Sequence, residues 1–236
     1  MADAALPIWS VHDVFVQANV VHGYRYLDLS GVVLNILSDR YKLVNLITPA
    51  GISLSDPVDI KDPFEVQFGS ARIWLHYVGI DAVQKVEKTA PEMIKSIAEK
   101  LEMKEFNRYG VRVSYFIATK DVLKAGDVVT RKLVSAPITE LVANRRLDVR
   151  TSLEIPLAFK DMEAIFRFRW IFVTRPAVNP VDYSGDGLIL DIDLGQRSDD
   201  AAFRRHDFTK LMSRAVETHT ELLVKYGQPL LQGVEL

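Results

Sequence analysis

Apolar and polar positions alternate most sharply between residues 147 and 155. There Leu147, Val149, Thr151, Leu153 and Ile155 share one side of an extended chain, and Asp148, Arg150, Ser152 and Glu154 share the other. The stretch IFRFRWIFV, residues 165–173, repeats the pattern: Phe166, Phe168, Trp170 and Phe172 form an apolar side, and Glu163, Arg167 and Arg169 lie opposite. A tight turn about Lys160-Asp161 pairs Ile155 with Phe166, Leu153 with Phe168 and Thr151 with Trp170, and sets Glu154 opposite Arg167. A third strand, GLILDIDLG, puts Leu188, Leu190, Ile192 and Leu194 on one side and Asp191 and Asp193 on the other. Carboxylates therefore stand ready next to the arginines.

The rest of the chain changes period several times. Val11 to Val21 is β-branched and aromatic, as a strand is, whereas Leu29, Val32, Val33, Ile36 and Leu37 recur at helical spacing with Asp28 or Ser30 able to cap. Phe64, Val66 and Phe68 alternate with Glu65 and Gln67. A Gly69-Ser70 turn then gives a hairpin with Val66 opposite Ile73, Phe68 opposite Ala71 and Phe64 opposite Leu75. Thr89 to Glu92 has capping-box spacing and precedes the stripe Met93, Ile94, Ile97, Ala98 and Leu101. Val111, Val113, Tyr115 and Ile117 alternate with Arg112 and Ser114 in a strand. Residues 121–144 are less regular and suggest short helices around Pro137; residues 179–187 read as a loop. From Phe208 to Tyr226 the spacing is helical, with Asp207 as N-cap and Gly227 and Pro229 as stop signals. Without strict β-α-β alternation, these elements imply an α+β fold: an antiparallel sheet with helices packed on one face and a long C-terminal helix. A single domain over residues 1–236 accommodates it, with a junction between two sub-lobes near residue 80.

Composition narrows the function classes. With 236 residues and 48% hydrophobic side chains the chain can bury a sizeable core. Lys and Arg number 29 against 31 Asp and Glu, a balance that gives no sign of a field built for nucleic acid or an anionic membrane. The absence of cysteine excludes disulfides, thiolate metal sites and a cysteine nucleophile. With an acidic residue in MADAALPIW where a signal peptide carries basic ones, and no long apolar run, the expectation is a soluble, cytoplasmic protein.

The candidate chemistry lies on the polar strand sides. Arg112, Arg150, Arg167 and Arg169 would form a concave surface for an acidic ligand or partner, since guanidinium forks match carboxylate and phosphate. The plain alternative is a solvated sheet face on which opposite charges pair across strands for about 0.2–1 kcal/mol each. Asp191 and Asp193, about 7 Å apart on one strand side, have a spacing that can share a divalent cation, with Asp182 and Asp186 as further oxygens. His219 falls on an apolar helix stripe, where a core histidine held by one hydrogen bond is expected, and His206 precedes that helix. His12, His22 and His76 share no spacing. G-x-S-x-G, P-loop, G-x-G-x-x-G and H-E-x-x-H signatures are all missing.

The stretch RYGVRVSYFI, Arg108 to Ile117, resembles the R-x-G-L-R-Y-I-N strand of a sporadically distributed bacterial family of uncharacterised proteins. Arg108, Gly110 and Arg112 match that pattern, while Val113 replaces its aromatic residue and Tyr115 its asparagine. The order of elements from Gln84 onward is similar as well. The resemblance implies an intracellular bacterial α+β protein and brings no activity with it. The expectation is thus a non-catalytic binding or interaction module, self-associating or bound to a protein partner, with no cofactor. Its candidate residues are Arg112, Arg150, Arg167, Arg169, Asp191 and Asp193. The alternative is a metal-dependent hydrolase using Asp191 and Asp193. A subunit of a larger assembly, with no ligand of its own, fits the same sequence.

Overall fold

The computed structural model describes residues 9–80, 82–133, 152–159, 162–174, 184–197 and 202–234. Their backbone builds one antiparallel sheet, in which β1 (Ser10–Val20), β2 (Tyr41–Thr48), β3 (Gly51–Pro57), β4 (Glu65–Gly69), β5 (Arg72–Val78), β6 (Glu105–Ala118), β7 (Ser152–Phe159), β8 (Met162–Thr174) and β9 (Ser184–Arg197) lie in the order β2-β3-β4-β5-β1-β6-β9-β8-β7. A two-residue strand, β10 (Phe203–Arg204), pairs with the start of β6. Helices α1 (Tyr26–Leu37), α2 (Thr89–Lys100), α3 (Val122–Leu133) and α4 (Phe208–Leu222) complete the α+β fold. Among the described residues, no helix is long and apolar enough to cross a membrane.

The apolar side of every central strand turns toward the helices. Val14, Val16 and Ala18 of β1, Leu75 of β5, Val111 and Val113 of β6 and Leu190, Ile192 and Leu194 of β9 are fully buried in one core. Helix α4 lies on that core because Phe208, Leu211, Met212, Ala215 and Leu222 recur along one stripe. The Phe208 ring packs edge-on against Phe106 and stacks on Tyr109, at 4.8 and 5.3 Å between centroids. Removing a side chain of that size from water contributes about 1.5–3 kcal/mol. His219, also on the stripe, is fully buried and donates Nε2–H to the Val111 carbonyl at 3.0 Å. Burial pushes its pKa down to about 4, against the weaker upward pull of that bond, so the imidazole is neutral at pH 7.

The β7–β8 hairpin has the register that alternation and turn length imply: Ile155 opposes Phe166, Leu153 opposes Phe168 and Glu154 opposes Arg167. Thr151 and the Lys160-Asp161 turn lie outside the described residues. The β4–β5 hairpin differs by two positions, with Val66 opposite Leu75 and Phe68 opposite Ile73, so the turn residues are Ser70-Ala71. Gly69 does not make the turn but a close approach, because a Cβ there would stand 2.1 Å from the Ala50 carbonyl oxygen. A two-residue shift preserves the faces, and Val66, Phe68, Ile73 and Leu75 all remain buried.

Several end signals act differently from their sequence spacing. Helix α1 starts at Tyr26, ahead of Asp28 and Ser30, and Asp28 pairs with Arg25 instead of capping. Helix α2 starts at Thr89 with Lys88 at the N-cap position and no side-chain cap, so the Thr89–Glu92 box does not close. Asp207 does occupy the N-cap position of α4, yet its carboxylate accepts from the Arg204 amide one 3₁₀ turn earlier. Gly227 and Pro229 do not stop the last helix, which widens into a π turn over Leu223–Gly227 and runs on through Gln228–Leu230. The wide turn accommodates Pro229, which has no amide to donate. Gly227 is needed for contact, since a Cβ there would meet Leu190 and Leu223 at 2.9 Å. Val122–Leu133 is one regular helix, and Ser184 to Gly187 belongs to β9 and not to a loop; Pro137 lies outside the described residues.

Candidate functional site

Strand pairing sets the polar residues of the other sheet side in rows. Across β1, β6, β9, β8 and β7 one row reads Asp13, Ser114, Asp191, Arg167 and Glu154. The next, from β5 onward, reads His76, Phe15, Arg112, Asp193 and Ile165. Below it lie Trp74, Gln17, Gly110, Gly195 and Glu163, and then Arg72, Asn19, Arg108 and Arg197. Each row runs perpendicular to the strands, so one-residue alternation in six strands places these groups on a common surface.

Four of the six candidate residues meet there. Arg112 donates Nη2–H to Asp191 at 2.7 Å, and the Ser114 hydroxyl donates to the other oxygen of the same carboxylate. Asp191 has no exposed surface. Arg167 bridges two carboxylates, with Nε 2.8 Å from Glu154 and Nη1 3.4 Å from Asp193. Burial lowers the Arg167 pKa, but the bond to Glu154 and the charges of Asp193 and Glu154 outweigh it, and the net shift is upward. Arg150 lies outside the described residues, and of Arg169 only its place on β8, opposite Ile189 and Ser152, is described.

The proposed cation ligands are committed elsewhere. Both oxygens of Asp191 accept bonds from Arg112 and Ser114, and Asp193 faces Arg167. Among the described residues no three His, Asp or Glu side chains are grouped to hold a metal ion. Asp182 lies outside them, and Asp186 is described only as a β9 position opposite Phe172. His206 pairs with Asp207 at the exposed start of α4. His12 and His76 both flank the buried Asp13, at 3.5 and 2.8 Å.

A cleft of about 180 Å³ opens on this side, lined among the described residues by Phe15, Gln17, Trp74, Arg108, Gly110, Arg112 and Asp193. The Phe15 ring stacks on His76 at 4.3 Å and on Trp74 at 5.6 Å, and the Arg112 guanidinium lies 5.4 Å above it. Arg108 lies across Gly195: its Nη2, Nε and Cζ are 2.9, 3.1 and 3.4 Å from where a Cβ would stand. Phe15, Gln17, Trp74 and Arg108 have no place in the candidate set drawn from sequence. Their signal was the alternation within each strand; what alternation lacks is the neighbour order that puts β5 and β1 beside β6. Comparison of the chain with models of known protein families, with curated proteins and with solved structures yields no match.

Proposed function

We propose that this protein is a non-catalytic binding module whose polar sheet side engages an acidic ligand or partner. The observation that carries the proposal is the division of the sheet: the helices lie against one side, and the other carries Arg167 and a cleft lined by Arg108 and Arg112. Guanidinium groups held on rigid strands are well suited to bidentate capture of carboxylate or phosphate. Self-association is part of the proposal. Strand β2, at the sheet edge among the described residues, exposes Leu43, Val44 and Ile47, and an apolar sheet edge is a natural pairing surface for a second copy.

Titration of the full chain with poly-L-glutamate tests the binding claim, and light scattering tests the oligomer. Saturable binding that falls at least tenfold in the double variant Arg167→Glu, Arg169→Glu supports the proposal; equal affinity in the two proteins removes it. A melting-temperature rise with divalent metal that disappears in Asp193→Asn would instead support the metal-dependent hydrolase.

A further inference from the structure

We infer that the cleft over Gly110 is a site for a small organic anion carrying one flat ring, its acidic group held by Arg108 and Arg112 and its ring set against Trp74, beside Phe15. This rests on the proposal that the polar sheet side binds acidic groups, and it names the ligand class.

The floor comes first. Gly110 and Gly195 are directly opposite each other in the middle of two long strands. Glycine in a strand interior loses packing and chain entropy, and it is found where something must approach the backbone closely. Every other position around this pair on the polar side carries a side chain: Gln17 beside Gly110, Glu163 beside Gly195, Arg112 and Asp193 above, Arg108 below. The side chain missing at Gly110 opens onto the cleft of about 180 Å³, and the one missing at Gly195 makes room for the Arg108 guanidinium on its wall. An apolar cavity of about 150 Å³ takes a benzene molecule, so a single ring with a short acidic substituent fits the space.

The charges come next. Among the described residues Arg108 has no carboxylate within ion-pair distance, and its Nε is buried without an acceptor. Arg112 spends Nη2 on Asp191, and its Nε too is buried without an acceptor. A buried N–H without an acceptor is costly, so both groups gain from an oxyanion between them. Asp193, the one carboxylate of the described lining, is turned to Arg167. On the other wall, Trp74, stacked beside Phe15, offers a ring surface of the kind that stacks a flat unsaturated group.

Calorimetric titration of the full chain with phenyl phosphate, benzoate, inorganic phosphate and benzyl alcohol tests the site. Phenyl phosphate or benzoate is expected to saturate one site per chain, and whichever binds identifies the acid. Inorganic phosphate and benzyl alcohol, each lacking one half, are expected to bind at least tenfold more weakly. Arg108→Gln and Gly110→Ala are each expected to weaken binding at least tenfold. A Cβ at Gly110 has only ordinary contacts, 3.4 Å from the Leu194 carbonyl oxygen and 4.0 Å from Arg108, so that variant keeps its fold and fills the floor. Failure of both aromatic acids, or binding untouched by both variants, overturns the inference. If poly-L-glutamate still binds through Arg167 and Arg169 in that case, the cleft is wrong and the broader proposal stands; if neither binds, both go.

Discussion

Arg112 stands directly opposite Asp193 across β6 and β9, yet its guanidinium reaches diagonally to Asp191 two residues earlier, at 2.7 Å. The diagonal leaves Asp193 to Arg167 and buries the Asp191 carboxylate completely between Arg112 and Ser114. A buried charge whose partners are fixed is strongly sensitive to truncation. Asp191→Ala is expected to destabilise the fold by about 2–4 kcal/mol in urea denaturation, because it orphans a serine and an arginine at once. Asp193→Ala, half-buried with one long contact, is expected to cost about 1 kcal/mol or less. Equal losses at the two positions would contradict the division of roles.

The exposed end of the same network should matter little for stability. Glu154 and Arg167 pair at 2.8 Å where the carboxylate is mostly in solvent. A double-mutant cycle with Glu154→Ala and Arg167→Ala is expected to return a coupling of about 0.2–1 kcal/mol, falling with added salt. A coupling above about 2 kcal/mol would make these charges a structural device rather than a surface for ligands.

His219 gives the acid limb a specific slope. Its folded pKa is held at about 4, below the value near 6.5 of an unfolded histidine, so between these values the unfolded chain binds the extra proton. Stability is intact above about pH 6.5 and falls as pH drops toward 4, by about 1.4 kcal/mol per pH unit in the middle of that window. His219→Gln, which keeps a donor for Val111, is expected to be less stable at pH 7 but to lose about one proton's worth of slope between pH 6 and 4.5. Identical slopes in the two proteins would show that His219 titrates normally.

Two glycines separate crowding from propensity. A Cβ at Gly23 would stand 1.8 Å from the Ser70 carbonyl oxygen, whereas at Gly31, inside α1, nothing lies within 4 Å. Gly31→Ala is expected to raise stability by about 0.5–1 kcal/mol through helix propensity alone. Gly23→Ala is expected to lower it by more than 2 kcal/mol, since backbone must move. Thermal melts of the two variants decide both signs.

How much was legible in the sequence follows from the same geometry. The Glu154–Arg167, Ile155–Phe166 and Leu153–Phe168 pairs were readable because alternation fixes the faces and the short spacing between the two runs fixes the register. The β4–β5 pairing slipped by two because a shift of two leaves every face unchanged, and Gly69 looks like a turn residue while serving a contact with Ala50. Strand β2 escaped notice because, exposed on both sides at the sheet edge, Leu43, Val44 and Ile47 do not alternate. Arg112, Arg167, Asp191 and Asp193 were found from strand sides alone. The cleft was not, because it needs β1 between β5 and β6, a neighbour order that local periodicity does not encode.

The side-chain Nε–Hε resonances of the arginines, followed by NMR during addition of poly-L-glutamate, bear most directly on whether the polar sheet side is the binding surface. Arg25 and Arg40 serve as internal references, since their Nε groups already bond Glu102 and Asp62 at 3.0 Å. The resonances of Arg108 and Arg112 are expected to move in a saturable way while those of Arg25 and Arg40 hold still. Movement of Arg25 and Arg40 with Arg108, Arg112 and Arg167 unchanged would place the binding surface elsewhere and contradict the proposal.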